Sequence, residues 1–212
     1  THLPDIVLAE PVFHEGVMIA WAVNTAHHSD FADRGHAHIY QEGLRIPPIR
    51  LYDGGVLMKD VQELILLNCQ VPRERLSDLR AQMAANRLGV ERLRALCDKY
   101  GRDTVLAAGK ALQDYAERKM RAGIASIPDG TYRFSDSFDN PEIDEPLTFS
   151  VAITVAGEEM TLAFDSPPQM RAGFNMVYTA LLSTVYYAVK TVADPTIPPN
   201  AGLARPLTVT AT

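Results

Sequence analysis

Apolar, β-branched residues fill 6–13 (IVLAEPVF) and 17–25 (VMIAWAVNT), and His14-Glu15-Gly16 separates the two runs. This pattern predicts a β-hairpin in which Gly16 supplies the turn conformation. Residues 26–43 lose all periodicity and fill with His, Asp, Arg and Gly, the composition of a functional loop. An extended segment follows over 44–57, where Pro47-Pro48 bars a helix and Asp53-Gly54-Gly55 marks a turn. A short helical pattern covers 59–68 and is stopped by Pro72. Ser77-Asp78 offers an N-cap for a long amphipathic run with Leu79, Met83, Leu88, Val90, Leu93 and Leu96 at three-to-four spacing. Asp103-Thr104 caps a second run through Met120, and the short turn at 100–102 predicts that the two helices pack as an antiparallel pair.

After Pro128-Asp129-Gly130 the alternation changes to strands over 131–136, 146–155 and 159–165. An apolar helix then covers 174–192, a Pro-rich segment ends it at 195–199, and a last strand begins at Leu207. Strands, a helical hairpin, more strands and a further buried helix predict an α+β fold. The chain divides into a β-rich segment (1–58), a helical segment (59–127) and an α+β segment (128–212), parts of one larger fold.

The 212 residues can bury a sizeable core, and with 47% hydrophobic against 22% charged residues the chain is not disordered. Twenty Lys and Arg against 26 Asp and Glu give a net charge of −6, which disfavours a general grip on nucleic acid or an anionic membrane. No run approaches the ~20 apolar residues of a bilayer span. Two cysteines, Cys69 and Cys97, are too few for a disulfide framework, so a reducing cytoplasm is the expected location. The opening at Thr1 shows no signal-peptide pattern and reads as the start of a processed or partial polypeptide.

Candidate chemistry is concentrated at one end. All six histidines, His2, His14, His27, His28, His36 and His38, lie in the first 38 residues, beside Asp5, Asp30 and Asp33. Imidazole titrates near neutrality and is the commonest metal ligand, so the cluster points to a metal or acid/base site. In AHHSD (26–30), extended backbone would put His28 and Asp30 on one face, whereas a turn would bring His27 and Asp30 together. His36 or His38 could add a third ligand, and three ligands with an open position suit catalytic zinc, with Mn²⁺ or Fe²⁺ also compatible. His14, in the hairpin turn, reads as a solvated polar residue. There is no GxxxxGK[ST] phosphate loop, so ATP binding by this chain is not expected, and no GxSxG elbow.

The ordered set THLPD (1–5), NTAHHSD (24–30), IYQEGLRIPPIRLYDGG (39–55), LSDLRAQMAANRLGVERL (76–93), DYAERKMRAGIASIPDGTY (114–132) and DPTIPPNAG (194–202) resembles the hydantoinase B family. That family includes the C-terminal portion of 5-oxoprolinase and a component of acetone and acetophenone carboxylases. The resemblance implies an enzyme subunit working with a hydantoinase A-type partner. The partner binds ATP and phosphorylates the substrate oxygen; the B component completes hydrolysis of a cyclic amide or, in the carboxylases, carbon–carbon bond formation on a ketone. It further implies a metal held by a His-x-x-Asp pair and a later histidine, here His27, Asp30 and His38, with His36 as substitute. Asp5, His2 and His28 are secondary participants in ligation, proton transfer or orientation of the ligands. Family members carry a Gly-Gly and Pro-Gly-Ser loop before the QEG segment, where this chain has only Phe31–Tyr40.

Overall fold

The computed structural model describes residues 3–28, 43–139, 143–170 and 175–212. It is an α+β chain that divides into two compact units, Thr1–Leu106 and Ala107–Thr212.

In the first unit, β1 (Asp5–His14) and β2 (Val17–His27) form the expected antiparallel hairpin. Its turn needs left-handed backbone at both central positions, and Glu15 (φ 50°) and Gly16 (φ 77°) provide it. Inward-facing positions alternate with outward ones. Ile6, Leu8 and Val12 of β1 and the small residues Ala20, Ala22 and Ala26 of β2 are buried or half-buried, while Val7, Trp21 and Val23 are exposed. A second, minimal hairpin pairs β3 (Tyr52–Asp53) with β4 (Val56–Leu57) across Gly54-Gly55, both with positive φ.

Helix α1 (Lys59–Leu67) matches expectation, but α2 runs Pro72–Tyr100 and so begins earlier than Ser77. Pro72 opens this helix instead of only closing the preceding one, because proline at the first turn has no N–H to lose. Ser77 then lies inside the helix, its hydroxyl donating to the Arg73 carbonyl. The long helix packs on β1 and β2. The small inward residues of β2 allow a close approach: a Cβ on Gly89 would lie 3.6 Å from that of Ala22. Ile6, Ile65 and Leu79 form the unit's apolar cluster, with Leu8, Leu44, Val61, Leu66 and Cys69 against it.

The second unit takes in most of α3 (Arg102–Ala125). Its four-stranded sheet has the order β5 (Gly130–Phe138), β6 (Leu147–Ala156), β7 (Glu159–Asp165), β8 (Leu207–Ala211), antiparallel except for the β7–β8 pair. A parallel neighbour requires a crossover, and α4 (Tyr178–Ala193) lies within it. Ala116, Met120 and Ile124 of α3 share one core with Val155, Met160, Leu162, Val185, Val189, Leu207 and Val209. The face of α2 is taken up by the hairpin in one unit, and that of α3 by the sheet and α4 in the other. Among the described residues no helix is long and apolar enough to cross a membrane.

Polar clamps fix the 194–206 connection onto α3. Arg205 donates to Asp114 (2.7 Å), Glu117 (2.9 Å) and Gln113 (3.0 Å), and Lys119 pairs with Asp194 at 2.8 Å. Asp194 also accepts from the Thr196 amide and hydroxyl, and the Lys119 ammonium with these bonds pulls its carboxyl down to about 2. Gly202 packs so tightly on α3 that a Cβ there would collide with the Gln113 carbonyl.

Gly202→Ala is expected to destabilise the protein by about 1–3 kcal/mol, measured by urea unfolding, because the obstacle is backbone and cannot swing away. Asp194 has a depressed folded-state pKa, so its contribution is present above its ordinary value of 3.8 and is lost as pH falls toward about 2. The urea midpoints of wild type and Asp194→Asn should therefore differ above pH 3.8 and converge at the acid end.

Candidate functional site at the open end of the hairpin

Strand pairing brings two of the sequence candidates together. Asp5, the first residue of β1, stands opposite His27, the last of β2, and both side chains lie on the outward face. The Asp5 carboxylate accepts from Nδ1 of His27 at 2.8 Å, with the imidazole 63% exposed and the carboxylate 24%. An ionised carboxylate can only accept, so the ring nitrogen that faces Asp5 carries a proton in this pairing. A carboxylate–histidine pair of this kind is how proteins orient an imidazole toward a metal.

His28 goes the other way. Alternation turns it inward, where it is 1% exposed, and its backbone N–H bonds the Pro4 carbonyl at 2.9 Å. Its Nε2 lies 2.8 Å from Oε1 of Gln82 on α2. Three amide side chains complete the setting. Gln82 Nε2 donates to the Ile6 carbonyl and to Asn24 Oδ1, both at 3.0 Å. Asn24 Nδ2 donates to the Gln82 carbonyl (2.8 Å) and to Asn86 Oδ1 (2.9 Å), and Asn86 Nδ2 donates to the Leu8 carbonyl (3.0 Å). Backbone carbonyls can only accept, so each amide is fixed in one orientation.

Sequence reasoning does not single out any of these three amides. A signal for two of them is nevertheless present: Leu79, Gln82, Asn86 and Val90 recur at helical spacing, and this is the buried face of α2. Leu88 and Leu96, which periodicity places on the apolar face, are 52% and 46% exposed. His14 also departs from expectation, because its side chain is only 11% exposed and Nε2 lies 3.1 Å from Asp98. The long helix passes beside the turn and removes that ring from solvent.

Asp30, His36, His38 and His2 lie outside the described residues. Among the described residues no group of three or more His, Cys, Asp or Glu side chains could hold a metal ion. The described part of the site is thus one outward imidazole oriented by a carboxylate, one inward imidazole bound by an amide, and the strand ends that carry them.

Residues 1–212 match the family model described as Hydantoinase B/oxoprolinase. The chain belongs to this family. It is 34% identical to a protein provisionally named as the B component of a D-/L-hydantoinase from Pseudomonas sp. (strain NS671), over 100% of this chain and 39% of that protein. The crystal structure of ATP-dependent caprolactamase from Pseudomonas jessenii superposes with a TM-score of 0.89 at 32% identity, covering 99% of this chain and 38% of that one. An acetone carboxylase in its nucleotide-free form shares the fold, with a TM-score of 0.88 at 18% identity over 97% of this chain and 30% of that one. This member of the hydantoinase B family therefore spans less than two fifths of the length of these relatives.

Removing the amide of Gln82 should be among the costlier single changes in the first unit. Gln82→Leu takes one donor from the Ile6 carbonyl and strands Asn24 Oδ1 and the His28 ring nitrogen that faces Oε1, and is expected to cost about 3 kcal/mol by urea unfolding. Arg87→Ala, which breaks only an exposed pair with Glu10, should cost under about 1 kcal/mol.

Proposed function

We propose that this chain is part of the B component of an ATP-dependent cyclic-amide hydrolase, in which a divalent metal is held by His27, Asp30 and His38. The pairing of His27 with Asp5 carries this reading, because it sets an imidazole and a carboxylate 2.8 Å apart at the open end of the hairpin, both of them groups that bind divalent metals. The naming of the 34% identical relative as a hydantoinase component, and of the 32% identical structure as a caprolactamase, supports a cyclic amide as the substrate class. An A-type partner would bind ATP and activate the amide oxygen, in keeping with the lack of a phosphate loop in this sequence.

Within that reading each residue has a task. His27 supplies a nitrogen donor, and Asp5, 2.8 Å from its Nδ1, serves in ligation, proton transfer or orientation of that ring. Asp30 and His38 supply the remaining oxygen and nitrogen donors, with His36 as substitute for His38, and His2 is a candidate for proton transfer. Zinc, manganese or iron(II) would suit such a donor set. A bound divalent ion supplies Lewis acidity toward the substrate oxygen and lowers the pKa of an attacking water.

The test is metal analysis of the full-length protein purified with its A-type partner, joined to turnover assays on hydantoins and lactams. Bound transition metal is expected, with His27→Ala abolishing it and Asp5→Ala weakening metal affinity by about 10–100-fold. Absence of metal together with unchanged turnover in His27→Ala would reject the proposal and favour a scaffold role. ATP hydrolysis that requires bicarbonate and a ketone would identify a carboxylase instead.

A further inference from the structure

The first hairpin has two faces, and α2 covers one of them. Inward positions pack on that helix, leaving Val12 1% and Ile6 8% exposed. On the outward face the ladder pairs Val7 with Thr25, Ala9 with Val23, Pro11 with Trp21 and Phe13 with Met18. Of these eight residues only Thr25 is polar and none is charged. Val7, Trp21 and Val23 are each more than half exposed, and the strip from Val7 to Phe13 is about 20 Å long. Elsewhere in the unit exposed apolar residues are interrupted by charge: Leu88 on α2 has Glu91 and Arg92 on the next turn. An uninterrupted apolar strip along a sheet is a surface that stable proteins cover.

We propose that the outward face of the β1–β2 hairpin is an internal interface of a longer B-type polypeptide, covered by a part of that same polypeptide outside residues 1–212. Length supplies the occupant. The chain spans 39% of the hydantoinase relative and 38% of the caprolactamase, so a polypeptide of their size carries most of its residues outside the part described here. Composition selects the same occupant over a separable partner. Interfaces between proteins that also exist apart are about as polar as the rest of the surface, whereas four consecutive rungs without a charge resemble the interior of one chain. A face of this kind that waited for another subunit would stand as a template for aggregation until the subunit arrived. Cover from the same polypeptide forms during folding and gives the two-stranded sheet the second packed face that it lacks. None of the eight residues belongs to the proposed metal donor set, so the interface stands apart from that reading.

The experiment puts the photo-crosslinker p-benzoylphenylalanine in place of Trp21 in the full-length protein, purified alone and with its A-type partner, and identifies the joined peptides by mass spectrometry. The expected product is a crosslink within one polypeptide, from β2 to a peptide outside residues 1–212, formed equally with and without the partner. A crosslink to the A-type partner, to a second copy or to another peptide of residues 1–212 would overturn the proposal, as would no crosslink in a folded protein. Hydroxyl-radical footprinting of the unsubstituted full-length protein reads the same face through the oxidisable side chains of Met18 and Trp21. Both should be modified about tenfold more slowly than in the unfolded chain, at every protein concentration and without the partner. If the substituted protein does not fold, the footprint decides. Modification at the unfolded rate, or protection that appears only with the partner or with rising concentration, would sink the assignment.

Discussion

A two-stranded hairpin is marginal by itself, and the first unit depends on the polar and apolar contacts by which α2 docks on the inward face of the hairpin. The carbonyls of Ile6 and Leu8, which stand opposite Ala26 and Asn24 in the ladder, each accept a bond from a side-chain amide of α2. Gln82 and Asn86, one helical turn apart, place amide nitrogens against those two carbonyls, and Asn24 from β2 ties the amides to each other. Apolar contacts through Ile6, Ile65 and Leu79 supply the hydrophobic part of the interface. The amides give it a single register, since sliding α2 by one turn along β1 would break every one of these bonds.

The same constraint explains what sequence reading can reach. Local patterns suffice where local physics decides the structure. The Glu15-Gly16 turn, the Gly54-Gly55 turn, the strands of the second unit and the α+β class all follow from turn chemistry and alternation. Periodicity misleads for α2, because the rule that apolar residues mark the inner face fails where a helix packs on polar groups of the inward hairpin face, here Asn24 and His28. There, polar residues occupy the inward stripe while Leu88 and Leu96 remain outside. Connection length says that two helices are consecutive, but not which surface each one covers within its own unit.

For the candidate site, sequence identifies the residue types and their neighbourhood, and the family resemblance names a ligand set only by analogy to motif spacing. Neither supplies orientation. The sequence His27-His28 has no internal asymmetry, and the difference between its members comes from strand alternation together with two distant partners, Asp5 and Gln82. In the second unit the DPTIPPNAG stretch gains a physical account from structure: Asp194, Asn200 and Gly202 each fit the connection onto α3.

One irregularity in the hairpin sets which imidazole faces outward. Pairing begins at the turn with His14 opposite Val17 and Phe13 opposite Met18, then Val12 stands opposite Ala20, so Ile19 is an extra residue in β2. Had the turn's pairing continued without it, Asp5 would stand opposite Ala26, and partners across a ladder share a face. His27 would then point toward α2 and His28 away from it. A single inserted residue, about 25 Å along the strand from the ring it orients, thus acts as the phase setting of the site. Loss of the bulge with every residue kept would exchange the two chemically distinct sides of the hairpin, whereas deleting Ile19 itself would straighten the ladder and leave Asp5 opposite His27.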